Sequence, residues 1–100
     1  MRAGMLTSNE PGLYREGKWG IRIENLVVNT LISEPSEFGQ FLQFETVTYC
    51  PIDTRLIDKS LLDQVELDWL NDYHSQVYIE LKNRTEGEAL EWLTQRTQAI

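Results

Sequence analysis

The stretch Glu10-Pro11-Gly12-Leu13-Tyr14-Arg15-Glu16-Gly17-Lys18-Trp19-Gly20-Ile21-Arg22-Ile23-Glu24-Asn25 decides how this chain is read. Its two ends are strand-like. The middle, Arg15 to Gly20, is a short glycine-punctuated turn that folds one half back on the other. Each half carries a carboxylate at a strand edge, Glu10 and Glu24. On paired antiparallel strands two such glutamates converge, and convergent carboxylates are part of what a two-metal hydrolytic site needs. Alternation along the second half places Arg22 and Glu24 on one face, opposite Ile21 and Ile23. A carboxylate in so apolar a strand needs a partner or a metal, and Arg22 is the candidate charge partner.

Outward from this hairpin the pattern predicts three strands followed by two helices, an α+β arrangement. Gly4 to Asn9 reads as a strand that Pro11-Gly12 ends or bends. Residues 21–32 give the strongest strand signal, apolar and mostly β-branched, with a slip at Asn25-Leu26-Val27 that suggests a bulge or burial on both faces. Residues 33–40 are a polar loop, and residues 41–52 a further strand carrying Cys50 as a buried thiol. Asp63 and Glu66 form a capping box that opens a helix running to about Asn83. Leu62, Val65, Trp69, Tyr73, Val77 and Leu81 recur on it at helical spacing, joined by Leu70 and Tyr78. Thr85-Glu86-Gly87-Glu88 reads as a second capping box for a short terminal helix with Leu90, Trp92 and Leu93. Two domains are expected: strands in 1–52 and a helical extension in 53–100.

The chain has 100 residues, 41% of them hydrophobic, and a formal net charge of −7. That suits one small domain or a piece of a larger one. The acidity speaks against nucleic acid and against anionic lipid as partners, and it serves solubility. No apolar run reaches the length of a membrane helix, and the N-terminus lacks the apolar core of a signal peptide. A single cysteine permits no internal disulfide and fits a reducing compartment. His74, the one histidine, reads as structural or surface rather than as a ligand. No paired-histidine zinc motif and no nucleophile triad is present. Gly12, Gly17 and Gly20 have turn spacing, not that of a phosphate loop. The aromatic stripe Trp69, Tyr73 and Trp92 reads as core or subunit contact.

Ser8-Asn9-Glu10-Pro11-Gly12-Leu13-Tyr14 and Gly20-Ile21-Arg22-Ile23-Glu24-Asn25 resemble the closing motifs of the pita-bread metallopeptidases, and among them the Xaa-Pro aminopeptidases. Residues 43–55, ending in Pro51-Ile52-Asp53-Thr54-Arg55, and Trp69-Leu70-Asn71-Asp72-Tyr73-His74 are similar to the C-terminal extension of the longer branch of that family. The resemblance covers essentially the whole chain. It implies a cytoplasmic enzyme that removes an N-terminal residue preceding proline. It also implies two divalent ions, commonly manganese, held by two aspartates, one histidine and two glutamates. Matched by motif, Glu10 ligates one metal, Glu24 bridges both, and Tyr14 and Arg22 line the site and support the ligands by hydrogen bonds. The remaining three ligands would lie upstream of Met1. The chain therefore reads as the last sixth of such an enzyme, inactive by itself and binding metal weakly. A homodimer contact through the extension is implied as well. The alternative is a stand-alone dimerisation or interaction module. Prolidase-like and creatinase-like relatives are a further option, against which the Pro51–Arg55 stretch counts.

Overall fold

The computed structural model describes all residues except Ser33 and Ser36, so that part of the expected 33–40 loop lies outside the described residues. It contains two compact units, Met1–Thr48 and Tyr49–Ile100. The α+β arrangement is as expected, but the strands are shorter and more numerous: the described residues form five strands and two α-helices.

The first unit holds β1 (Leu6–Asn9), β2 (Gly12–Arg15), β3 (Trp19–Arg22), β4 (Asn25–Leu31) and β5 (Leu42–Thr46). A three-stranded antiparallel sheet has the order β1-β4-β5, and β2-β3 form a separate two-stranded ribbon. The strand expected over 21–32 is thus two strands, parted at Ile23-Glu24 rather than at the slip read from Asn25 to Val27. Pro11 explains the position of the break. It lies opposite Ile23 and accepts the Ile23 N–H at 3.3 Å, but has no N–H to return. On β4 the buried residues alternate as Asn25, Val27 and Asn29, one face of the central strand. At the ribbon's tip Gly17 takes φ +66°, the left-handed conformation that glycine adopts without steric cost.

The strand expected over 41–52 ends at Thr46. Beyond it, Pro51 removes one backbone donor. Two others are taken by side chains of the following helix, α1 (Gln64–Leu81). Tyr73 Oη donates to the Cys50 carbonyl at 2.9 Å and accepts the Cys50 N–H at 3.4 Å, while His74 Nε2 accepts the Ile52 N–H at 3.1 Å. The segment is pinned to a helix and not to a sheet, so Cys50 is exposed, contrary to the buried thiol expected. Two short 3-10 turns, Thr54–Leu56 and Lys59–Leu61, follow, each capped by an aspartate, Asp53 and Asp58. Arg55 grips Asp53 through both carboxylate oxygens, which holds that carboxyl well below the usual range. Beside this grip lies a small cavity of about 130 Å³ lined by Pro51, Ile52, Arg55, Trp92 and Arg96.

The capping box that opens α1 is present in both directions: Glu66 N–H to Asp63 Oδ1 at 2.8 Å, and Asp63 N–H to Glu66 Oε2 at 3.0 Å. The buried stripe is Leu70, Tyr73, His74 and Val77, a clean helical spacing. Leu70, Tyr73 and Val77 belong to the expected stripe, but His74 replaces Val65 and Trp69, which are 77% and 51% exposed. Tyr73, Val77 and Leu93 form the core of this unit, with Ile52, Tyr78, Leu81 and Leu90 packed around them. Burying side chains such as Val77 and Leu93 contributes about 1.5–3 kcal/mol each. His74 is 0% exposed, and burial depresses its pKa. It is structural, as expected of it. Helix α2 (Gly87–Arg96) lacks the second capping box: the Thr85 hydroxyl donates back to the Leu81 carbonyl at 3.1 Å, and no side chain caps α2. Gly87, at φ +54°, makes the turn into the helix that the cap was expected to make.

Candidate functional site

The register of the hairpin is the same on both sides of its break. Asn9 lies opposite Asn25 in the sheet, and Gly12 lies opposite Arg22 in the ribbon. Between them Pro11 faces Ile23 and Glu10 faces Glu24. The Ile23-to-Pro11 hydrogen bond makes that pair a hydrogen-bonded one. The next pair, Glu10 and Glu24, is therefore of the non-hydrogen-bonded kind, the closer of the two, with Cβ atoms about 4.5–5.5 Å apart. The chain thus sets two carboxylates side by side, where like charges repel.

Arg22 offsets that repulsion. Its guanidinium reaches Glu24 Oε2 at 3.0 Å and Glu10 Oε2 at 4.0 Å, so the shared face expected of Arg22 and Glu24 persists past the end of β3. The neighbouring Tyr14 hydroxyl first, and then the charges of Glu24 and Glu10, raise the Arg22 pKa above its already high ordinary value. All three charged side chains are roughly half exposed, so solvent screens the pairs. Ser8 completes the group: its hydroxyl donates to Glu10 Oε1 at 2.7 Å.

Tyr14 is placed by what its neighbours lack. A Cβ on Gly20 would lie 2.6 Å from Tyr14 Cδ1, and one on Gly12 would collide with the Tyr14 hydroxyl. The ring therefore lies across Gly20, its cross-strand partner, with its hydroxyl end over Gly12. These two glycines were read as turn residues. Only Gly17 is in the turn; Gly12 and Gly20 are the floor under a side chain. The legible signal was a tyrosine on an extended segment with glycines two residues before it and opposite it. Ser8, two residues before Glu10 on a strand, carried a similar signal that sequence reasoning passed over.

Glu10, Tyr14, Arg22 and Glu24 are thus brought onto one face. Two carboxylates are hard oxygen donors, suited in kind to Mg²⁺, Mn²⁺ or Zn²⁺. Among the described residues no group of three or more His, Cys, Asp or Glu converges as a metal site would require. Glu10 and Glu24 therefore fit a divalent-ion site as contributors, with further ligands drawn from outside this set. Among the described residues no helix is long and apolar enough to cross a membrane.

A model of the C-terminal region of the peptidase M24 family matches residues 40–100. A probable Xaa-Pro aminopeptidase P of Coprinopsis cinerea is 47% identical over the whole chain, which covers 17% of that protein. Aminopeptidase P2 of Arabidopsis thaliana is 41% identical over the whole chain, covering 14% of it. A crystal structure of X-prolyl aminopeptidase from Caenorhabditis elegans, described as a cytosolic enzyme with a di-nuclear active site, superposes with a TM-score of 0.84. It is 36% identical, over all of this chain and 17% of that one. The chain spans about a sixth of the length of these relatives.

Proposed function

This chain belongs to the M24 peptidases, matching their C-terminal region, and on that premise we propose that it is the part of a two-metal Xaa-Pro aminopeptidase that supplies two carboxylate ligands. Glu10 and Glu24 are the residues of this chain that would hold the ions, Glu10 one of them and Glu24 both. The observation that carries this reading is their placement opposite each other on one face, with Arg22 between them.

Two divalent ions supply, when bound, Lewis acidity and a water acidic enough to serve as nucleophile near neutral pH. The residues of this chain orient that chemistry. Arg22 holds Glu24 and faces Glu10, and Tyr14 holds Arg22. Manganese is the proposed metal, in keeping with the hard donors. The substrate is a peptide with proline second. A cytoplasmic location follows the nematode enzyme, whose description is cytosolic. Residues 1–52 are assigned to the catalytic domain and 53–100 to a helical extension.

By itself the chain is proposed to be inactive, because two carboxylates fall short of a di-nuclear ligand set. Its apolar exposure supports a larger assembly: Leu13, Trp19, Ile21 and Phe44 all lie open in the first unit. In the second unit Val65 and Trp69 are open on α1, which favours a homodimer contact through the extension. A non-catalytic dimerisation module is the reading that would remain if catalysis failed.

The test is made in the full-length protein. Glu24→Gln should abolish cleavage of Xaa-Pro peptides and lower bound Mn²⁺ measured by elemental analysis. Full activity in Glu24→Gln, or Xaa-Pro cleavage by the 100-residue chain alone, would falsify the assignment.

A further inference from the structure

Each of the two glutamates lies just beyond the end of a strand and is held by the residue of that strand two positions before it. Arg22 reaches Glu24 at 3.0 Å, and Ser8 donates to Glu10 at 2.7 Å. Residues two apart on a strand share a face, so both grips lie on the side where the carboxylates meet. The two glutamates are otherwise held unequally. Arg22 is in contact with Glu24 but stands 4.0 Å from Glu10.

Glu10 also has the weaker backbone support. It sits in the interval between β1 and β2, beside the rung that Pro11 cannot complete. Ser8 is inside the ladder, opposite Leu26. A hydroxyl carried between two ladder rungs thus fixes a side chain that sits beside a rung only half made. A glutamate has three rotatable bonds, and a half-exposed one samples many rotamers unless something selects one.

We infer that Ser8 is a positioning residue for the metal site: its hydroxyl takes Glu10 Oε1 and so turns Oε2 toward Arg22 and Glu24. The inference rests on the proposal that Glu10 is a metal ligand. Outer partners of metal ligands act in this way, and removing one costs about 10–100-fold in metal affinity.

The experiment uses the metal-free full-length protein titrated with Mn²⁺ by calorimetry, with thermal unfolding measured alongside. Ser8→Ala should weaken one of the two Mn²⁺ binding steps about tenfold and leave the other and the unfolding midpoint unchanged. Ser8→Thr, which keeps the hydroxyl and suits a strand, should restore the affinity. In a Glu10→Gln background Ser8→Ala should add nothing. If Glu10→Gln weakens binding and Ser8→Ala does not, the positioning role is overturned while the ligand assignment stands. If Glu10→Gln leaves both steps unchanged, the ligand assignment falls and Ser8 with it. A threonine variant as weak as the alanine one overturns the role of the hydroxyl. Equal weakening of both steps with a lowered midpoint makes Ser8 structural, and overturns the inference too.

Discussion

Gly20→Ala separates what the ribbon does for folding from what it does for the site. Gly20 is not in the left-handed region, so alanine suits its backbone. The obstacle is Tyr14. The new Cβ would sit 2.6 Å from Cδ1 and 3.2 Å from Cε1, where ordinary contacts begin near 3.4 Å. The ring must move by almost 1 Å. It is 62% exposed in this chain and at the end of a flexible side chain, so it can yield. The stability cost is then at the low end of overpacking, about 1 kcal/mol. The functional cost is larger, because a displaced ring carries its hydroxyl off Arg22, the cation between the two glutamates. Loss of such a supporting contact costs about 10–100-fold in metal affinity or activity. Gly17→Ala is the internal control. At φ +66° with open space around it, it should lose about 1 kcal/mol through backbone strain and leave the site intact. The assays are chemical unfolding, Mn²⁺ titration and Xaa-Pro peptide cleavage in the full-length protein. On a Tyr14→Ala background Gly20→Ala should have no further effect, since the new methyl then meets nothing. An undiminished affinity in Gly20→Ala, or a loss that persists without the Tyr14 ring, would refute the cradle.

Three further outcomes are expected. His74 is buried, with its pKa depressed by desolvation, so the unfolded chain binds its proton more readily than the folded one. This contribution to stability should be constant above about pH 6.5 and should fall as pH drops from there toward the depressed value, seen by urea unfolding at stepped pH. A profile unchanged in His74→Gln would rule it out. Tyr73→Phe removes the 2.9 Å bond to the Cys50 carbonyl and the marginal 3.4 Å bond from its N–H. It should cost about 1 kcal/mol and speed amide exchange over residues 49–53, whereas a loss above about 3 kcal/mol would show that the ring packing had been disturbed. Asp63→Ala removes the side-chain half of the α1 cap and should cost about 1 kcal/mol; hydrogen exchange should rise in the first turn and not beyond Leu70.

The α+β order, the α1 capping box, the Pro11-Gly12 interruption and the shared face of Arg22 and Glu24 were all legible in the sequence. Each rests on local rules: a missing donor, a reciprocal pair three residues apart, alternation of period two. Errors came where a distant group competed for the backbone. The strand expected to run through Cys50 stops because Tyr73 and His74, more than twenty residues away, take its hydrogen bonds. Periodicity could not show that. The stripe of α1 was only partly legible for a similar cause: Leu70, Tyr73 and Val77 are buried as expected, but His74 joins them while the apolar Val65 and Trp69 stay exposed.

In the site the division is as clear. Sequence alone determined that two carboxylates, an arginine and a tyrosine stand on segments able to pair, because residue type and alternation depend only on the chain order. The register placing Glu10 against Glu24, the ring of Tyr14 laid over Gly12 and Gly20, and the grip of Ser8 on Glu10 were decided by tertiary structure. The reason is physical. Pairing two strands can be shifted residue by residue at little local cost, and only the turn around Gly17 together with the ladders on both sides of Pro11 selects one register.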